Sequence, residues 1–309
     1  MIDEMTTLDS NHTWVLVPPP PGKSIIGCQW VFNVKVGLDG QVDRLKARLV
    51  AKGYTQVYGL DYSDTFSPVA KMDSVRLFLA MAAMRHWPLF QLDIKNAFLH
   101  GDLEEEIYME QPPGFVAKGG SGLVCKLQKS LYGLKQSPHA WFGRFSKVIQ
   151  EFRMIPCEAD HSVFFKHSLT HRFVYLVVYV DDIVITGDDQ EGIKALKQHL
   201  FKHFQTKDLG PLRYFLRIDV AQSKSSIAIS QRKYTLDILE ETKLTDCKSV
   251  DTSMDPNVKL MPNQGEPCPD SGRYRRLVEK LNYLTMTRPD ISFSISVVSQ
   301  FLNSPCESH

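Results

Sequence analysis

Asp181 and Asp182 stand side by side in the most apolar run of the chain, Phe173 to Gly187, and Asp93 ends an alternating stretch, Leu89-Phe-Gln-Leu-Asp93, far upstream. An ionised carboxylate in apolar surroundings costs several kcal/mol unless it is paired, so the adjacent pair asks for a cation or an exposed tip. Asp is common in turns, and the pair alone leaves a plain turn open. A third carboxylate moves the reading towards a divalent cation. Mg²⁺ takes a few carboxylate oxygens and completes its shell with water and phosphate. Two such ions ~4 Å apart would activate a hydroxyl and receive a pyrophosphate leaving group, which is nucleotidyl transfer.

The elements that must position these groups are legible. Val- and Tyr-rich residues before the pair and β-branched ones after it predict a buried hairpin with the aspartates at its tip. Leu89 to Asp93 reads as a short strand ending in a carboxylate. Strands are predicted over Gln29 to Val36 and Asp43 to Ala51, joined by turn residues Gly37 to Gly40. In the second of these strands Lys46 and Arg48, with Lys52 beyond, share one face, and Leu45, Ala47 and Leu49 the other. A basic face grips phosphate and equally guards an edge strand.

Helical spacing predicts a helix from Asp73 or Ser74 to about His86, with Val75, Phe78, Leu79 and Ala82 inward. A second starts at Ser137-Pro138 and carries the stripe Trp141, Phe142, Phe145, Val148, Ile149 and Phe152, which is core. A third carries Ile193, Leu196, Leu200 and Phe204. Leu212 to Val220 and Ile227 to Ser230 predict a hairpin, and Tyr234 to Glu241, Tyr274 to Thr287 and Asp290 to Leu302 predict helices. The organisation expected is a peripheral segment 1–22 ending in Pro18 to Pro21, a main domain 23–244, a proline-bearing linker 245–272 and a helical segment 273–309.

Composition narrows the class. With 309 residues, 43% hydrophobic and 23% charged, the chain is an ordinary globular one with a sizeable core. No apolar run approaches the ~18 residues of a membrane span, and Met1-Ile-Asp-Glu4 lacks the parts of a signal peptide. Six scattered cysteines show no CxxC and no Cys/His zinc spacing, as in a reducing compartment. The net charge of +1 announces no nucleic-acid partner. Its distribution says more: Lys194 to Tyr234 holds nine bases and two acids, a balance of +7, and Asp102 to Glu110 holds five acids and no base. Either is by default a solvated face.

Tyr179-Val-Asp-Asp-Ile183 resembles the motif of reverse transcriptases, and the surrounding words resemble the copia-type branch of LTR retrotransposons. These are Lys46-Ala-Arg-Leu-Val-Ala-Lys-Gly-Tyr-Thr-Gln56, Thr65-Phe-Ser-Pro-Val69, Gln91-Leu-Asp-Ile-Lys-Asn-Ala-Phe-Leu-His-Gly101 and Leu131-Tyr-Gly-Leu-Lys-Gln-Ser-Pro138. Lys207-Asp-Leu-Gly210, Tyr214-Phe-Leu216 and Thr287-Arg-Pro-Asp-Ile291 agree. The resemblance runs from about Asn11 to the C-terminus.

It implies an α+β right-hand polymerase with fingers, an antiparallel palm sheet and a C-terminal helical segment. Asp93, Asp181 and Asp182 would hold two Mg²⁺ ions, or Mn²⁺ in their place. Lys46 and Arg48 would grip the triphosphate, Phe98 would exclude a ribose 2′-hydroxyl, and Gln136 would help place nucleotide and template. Tyr214, Phe215, Leu216 and Arg217 would belong to a primer-gripping hairpin, and the basic region would face the duplex backbone. The implied partners are an RNA or DNA template, a primer and deoxynucleoside triphosphates, with no membrane, in cytoplasmic virus-like particles.

Three positions depart from the family pattern. His139 stands for a usual Arg, and Arg217 and Glu279 for usual glycines, costing about 1 kcal/mol if positive φ is required there. The family's protease, integrase and RNase H words are not found. A nucleic-acid-binding remnant without activity is the alternative, and a phosphohydrolase would need a nucleophile or base word near the aspartates that the sequence does not offer.

Overall fold

The structure, a computed structural model, describes residues 1–36, 41–117, 119–120, 122–168, 171–250, 253–255, 257 and 259–309. The turn expected at 37–40 lies outside them, as does Pro256. The chain divides into two compact units, Met1–Lys71 with Leu89–Gly210, and Met72–Pro88 with Pro211–His309. This division cuts across the expected boundaries at 22, 244 and 272.

The first unit opens with α1 (Ile2–Ser10), β1 (Trp14–Val17), β2 (Ile25–Ile26), β3 (Cys28–Val36) and β4 (Val42–Ala51). After α2 (Met72–Arg85), which belongs to the second unit, come β5 (Leu89–Ile94), β6 (Tyr108–Met109), β7 (Val124–Leu127) and α3 (Ser137–Glu151). Then follow β8 (Ile155–Pro156), β9 (Val163–His167), β10 (Phe173–Tyr179), β11 (Asp182–Gly187), α4 (Gln190–His203) and β12 (Thr206–Pro211). The strands β12-β5-β11-β10-β9-β8 form a six-stranded sheet, in which the pairs β5-β11, β11-β10, β10-β9 and β9-β8 are antiparallel.

One face of that sheet is closed by α3 and α4. Trp141, Phe145, Val148 and Ile149 of α3 and Ile193, Leu196 and Leu200 of α4 pack on Leu92, Ile94, Val174, Leu176, Val178, Ile183 and Ile185. Each buried aliphatic side chain of this kind contributes about 1.5–3 kcal/mol. Side chains alternate along a strand, so Asp93, between Leu92 and Ile94, faces away from the helices.

A second core joins α1 to the small sheet β1-β7-β6-β2, with Leu8, Ile26, Leu49, Met109 and Leu127 buried together. The expectation that residues 1–22 are peripheral fails here. Leu8 is fully buried, and Trp14 to Val17 pairs with β7 before Pro18 is reached. The proline tract follows an ordered helix and strand; it does not replace them.

The ribbon β3-β4 also differs from expectation. Lys46 and Arg48 do share a face, with Asn33 and Val31 as their cross-strand partners. The predicted apolar face is buried only at its inner end, at Leu49, while Leu45 is 75% exposed. A two-stranded ribbon has no second layer to cover its outer half.

In the second unit, α2 buries Val75, Phe78, Leu79 and Ala82, the four residues expected. The strands β13 (Tyr214–Phe215), β14 (Ile218–Gln222) and β15 (Ile227–Ser230) make a three-stranded sheet. The stretch from Leu212 to Val220 is therefore not one strand but is folded back at Leu216-Arg217. The helices α5 (Arg232–Thr242), α6 (Ser271–Leu284) and α7 (Ser292–Ser299) complete the unit. α6 begins earlier than its apolar pattern because the Asp270 carboxylate accepts from the Arg273 N–H at 2.7 Å, an N-cap. The described residues between α5 and α6 carry no helix or ladder strand, only an isolated bridge from Pro267 to Cys306.

Candidate active site

The strand β5 runs beside β11, and their register places Asp93 directly opposite Asp182. Directly opposed residues have Cβ atoms about 4.5–5.5 Å apart, so two carboxylates meet on the face away from α3 and α4. Asp181 sits in the two-residue turn that links Tyr179 to Asp182. The first turn residue, Val180, has φ +57, a conformation that costs a β-branched residue about 1–3 kcal/mol.

Two hydrogen bonds hold the turn. The Trp141 indole N–H donates to the Val180 carbonyl at 2.8 Å, and the Ile94 N–H donates to the Asp181 carbonyl at 2.9 Å. Strain in the turn is thus offset by an α3 side chain and by the end of β5.

The electrostatics follow from this crowding. Burial pushes the Asp182 carboxyl up to about 6; a 3.1 Å hydrogen bond from Gln91 Nε2 opposes the rise, and Asp181 and Asp93 reinforce it. Burial likewise raises Asp181, with Asp93 adding to the rise and Arg48 and Lys46 opposing it. Among the described residues none of the three aspartates makes an ion pair. The register brings Asp93 and Asp182 together as hard oxygen donors of the kind a divalent ion takes, while the ligating atoms of the three aspartates do not all lie within 4.8 Å of one another.

Arg48 reaches this region over an aromatic shelf. Its guanidinium lies 4.5 Å from the Tyr132 ring centroid, and Tyr132 meets Phe98 edge-to-face at 5.3 Å. The Tyr132 hydroxyl is raised by burial first, lowered by Arg48 and raised by Asp181 and Asp93. Phe98 stands on the 3-10 turn Ala97–His100, entered through Asn96 at φ +53, and is partly buried. Tyr132 was not expected as a site residue, although it lies in the Leu131 to Pro138 word.

The backbone explains how Tyr132 gets there. The Ala51 N–H donates to the Tyr132 carbonyl at 2.8 Å, and a Cβ on Gly133 would come within 2.1 Å of the Ala51 carbonyl oxygen. A Cβ on Gly53 would meet the Gly133 carbonyl oxygen at the same distance. Glycine at both places lets the end of β4 and the loop before α3 cross in contact.

α1 adds a further unexpected residue. Glu4, buried, has a carboxyl raised by burial and lowered by the Leu49 N–H, Arg48 and Lys46. Its Oε1 and the Arg48 Nε are both buried without a hydrogen-bond partner among the described residues.

Gln136 is not available as a nucleotide contact in this arrangement. It is 2% exposed; its Oε1 accepts from Gln56 Nε2 at 3.0 Å and its Nε2 donates to the Asp61 carbonyl at 3.0 Å. Both ends of the amide are used in tying the Gln56 to Asp61 loop to the start of α3. His139 donates from Nδ1 to the Phe66 carbonyl at 2.7 Å.

The second unit holds the other expected residues. Leu216 and Arg217 both have positive φ, +50 and +60, as a tight two-residue hairpin turn requires. The position of Arg217 is therefore one where glycine relieves strain. Arg217 lies over the Tyr234 ring at 5.2 Å, and the Tyr283 hydroxyl donates to the Leu216 carbonyl. Tyr214 is 43% exposed, whereas Phe215 is buried and belongs to the hairpin's packing, not to a contact surface. Glu279 sits exposed within α6, where a side chain is favoured over glycine. In the basic region, Lys197 is drawn inward, 4.2 Å from the Phe90 centroid and 2.9 Å from Asp208.

The model for the reverse transcriptase (RNA-dependent DNA polymerase) family matches residues 11–256. The chain belongs to that family. Within it the kinship is copia-type. The chain is 44% identical over its whole length to the retrovirus-related Pol polyprotein from transposon RE1 of Arabidopsis thaliana, and 40% identical to that from transposon TNT 1-94 of Nicotiana tabacum. It spans 21% and 24% of the length of those relatives. A telomerase from Candida albicans, solved with a fragment of telomeric RNA, is a distant likeness at 8% identity and a TM-score of 0.41, over 96% of this chain and 59% of that one. Among the described residues no helix is long and apolar enough to cross a membrane.

Proposed function

We propose that the chain is the fingers and palm of an RNA-directed DNA polymerase that joins deoxynucleotides to a primer 3′-hydroxyl. The observation that carries this reading is the register of β5 against β11, which sets Asp93 opposite Asp182 beside the Asp181 turn. Asp93, Asp181 and Asp182 would hold two Mg²⁺ ions, supplying Lewis-acid activation of the primer hydroxyl and charge neutralisation at the phosphates.

The chain's own residues supply position. The β3-β4 ribbon is read as the fingers, and its Arg48, with Lys46 on the same face, binds the triphosphate through charge-assisted hydrogen bonds. Tyr132 holds the Arg48 guanidinium over its ring and backs Phe98. Phe98 then walls the sugar pocket, where an aromatic ring leaves no room for a 2′-oxygen. Trp141 and Gln91 fix the carboxylates, so little reorganisation is needed when substrate arrives. Gln136 acts at one remove, by holding the loop that follows the ribbon. In the second unit, Tyr214 and the Leu216-Arg217 turn are proposed to touch the primer.

Primer extension on an RNA template, with Mg²⁺ and the four deoxynucleotides, tests the reading. Extension by the chain and none by Asp181→Asn is expected. Failure of both, with salt-sensitive duplex binding retained, would leave the inactive remnant.

A further inference from the structure

We propose that Glu151, His199 and His203 form a binding site for a single Zn²⁺ ion, which fastens the C-terminal ends of α3 and α4 together. One ligating atom from each of the three lies within 4.8 Å of the others. His199 and His203 are one helical turn apart on α4, their rings 4.6 Å centroid to centroid, and Glu151 closes α3. Residues four apart on a helix project from one face, so both imidazoles point to the same place.

A second observation sets the chemistry. His199 Nε2 donates to the Val148 carbonyl at 2.8 Å, which in the neutral imidazole places the lone pair on Nδ1. A metal-binding histidine is held in this way, its other nitrogen donating to a carbonyl or carboxylate. The His199 ring is also steadied against Phe152 at 5.3 Å. Glu151 Oε2 lies 3.9 Å from His203 Nε2, a separation too long for a good hydrogen bond.

The donor set selects the ion. Two imidazoles and a carboxylate, with water in the fourth position, make a tetrahedral Zn²⁺ site, whereas Mg²⁺ prefers oxygen alone. Glu151 is exposed and the histidines are only partly buried, so the ion has an entry path. Arg144 and Lys202 lie near enough to oppose positive charge at His203, which limits affinity. The consequence would be a cross-link between the two helices that close the six-stranded sheet, away from the aspartates' face. The sequence signal is His199-x-x-x-His203, whose carboxylate partner comes from another helix and is invisible to spacing alone.

The test is Zn²⁺ titration of the full chain in excess Mg²⁺, which occupies carboxylate-only sites, for wild type, Glu151→Gln and His203→Asn. His199 is left intact because its bond to Val148 holds α4 to α3. Wild type is expected to take up one more Zn²⁺ than either variant, or to bind it at least tenfold more tightly. Its unfolding midpoint should rise with Zn²⁺, and theirs should not. Co²⁺ bound in place of Zn²⁺ should give the intense visible bands of a four-coordinate ion, without sulfur charge transfer. Far-ultraviolet circular dichroism of the metal-free variants, expected unchanged, checks their folding. Equal uptake by all three, or uptake that leaves the wild-type midpoint unmoved, would overturn the proposal and leave a plain His203–Glu151 ion pair.

Discussion

Trp141 and Val180 are joined by a 2.8 Å hydrogen bond from an α3 indole to the carbonyl of the positive-φ residue preceding Asp181. The helix behind the sheet thus sets the geometry of the carboxylates in front of it. Trp141→Phe keeps most of the packing and leaves that carbonyl without its partner, at about 1–3 kcal/mol. We expect a lower urea midpoint and a larger fall in primer-extension kcat than in duplex affinity. An unchanged kcat would separate the turn from catalysis.

Asp182 predicts how the metal-free chain answers to pH. Its carboxyl is raised to about 6, from 3.8, first by burial and then by Asp181 and Asp93 against the bond from Gln91. The folded form therefore binds the proton more tightly than the unfolded one. Stability from this group falls as pH rises through that interval and is regained on acidification. In the presence of a chelator, the urea midpoint should rise between about pH 7 and about pH 5, less so in Asp182→Asn. The variant should be more stable than wild type at neutral pH and inactive, the trade expected of a strained site.

Tyr132 carries Arg48 on its ring and Phe98 on its edge. Tyr132→Ala removes a cation–π contact of about 0.5–2 kcal/mol, which predicts a rise of about 2- to 30-fold in deoxynucleotide KM. Tyr132→Phe keeps the ring and should stay within about twofold of wild type. Steady-state extension at varied nucleotide concentration reads both. Equal effects of the two would assign the role to the hydroxyl instead.

What the sequence carried well were features local in the chain. The hairpin, the buried stripe of α3 and the four inward residues of α2 follow from periodicity, which reports neighbours three or four residues apart. The alternation of Leu89 to Asp93 announced a strand, which runs one residue further to Ile94 and sets Asp93 opposite Asp182. The misses are contacts between distant segments. Gln136 looked like a ligand group until Gln56 and Asp61 used both ends of its amide. Glu4 lay in a segment read as peripheral, because nothing near it in sequence announces Arg48. Tyr132 needed the crossing of Gly53 and Gly133, which only three dimensions reveal.

The Leu216-Arg217 turn gives a test of backbone strain free of catalysis. Arg217 has φ +60 and lies over Tyr234. Arg217→Ala loses the ring contact and keeps the strain; Arg217→Gly loses the contact and relieves it. Glycine should therefore be more stable than alanine there by about 1 kcal/mol, read from denaturant midpoints. If the two are equal, the turn does not adopt this conformation in solution.

Phe98 offers the sharpest separation of a site role from a packing role. Its ring is partly buried, touching the main core and the edge of Tyr132, so truncation must cost stability whatever else it does. For Phe98→Ala we expect about 2–4 kcal/mol from lost burial and the space left behind. If the ring only fills space, deoxy- and ribonucleotide incorporation will fall together and their ratio will hold. If it walls the sugar pocket, the variant will admit a 2′-hydroxyl, and discrimination will drop at least tenfold, a change of about 1.4 kcal/mol in relative barrier. Competition between the two triphosphates at one template position measures that ratio independently of how much protein is folded. A preserved ratio would return Phe98 to the core.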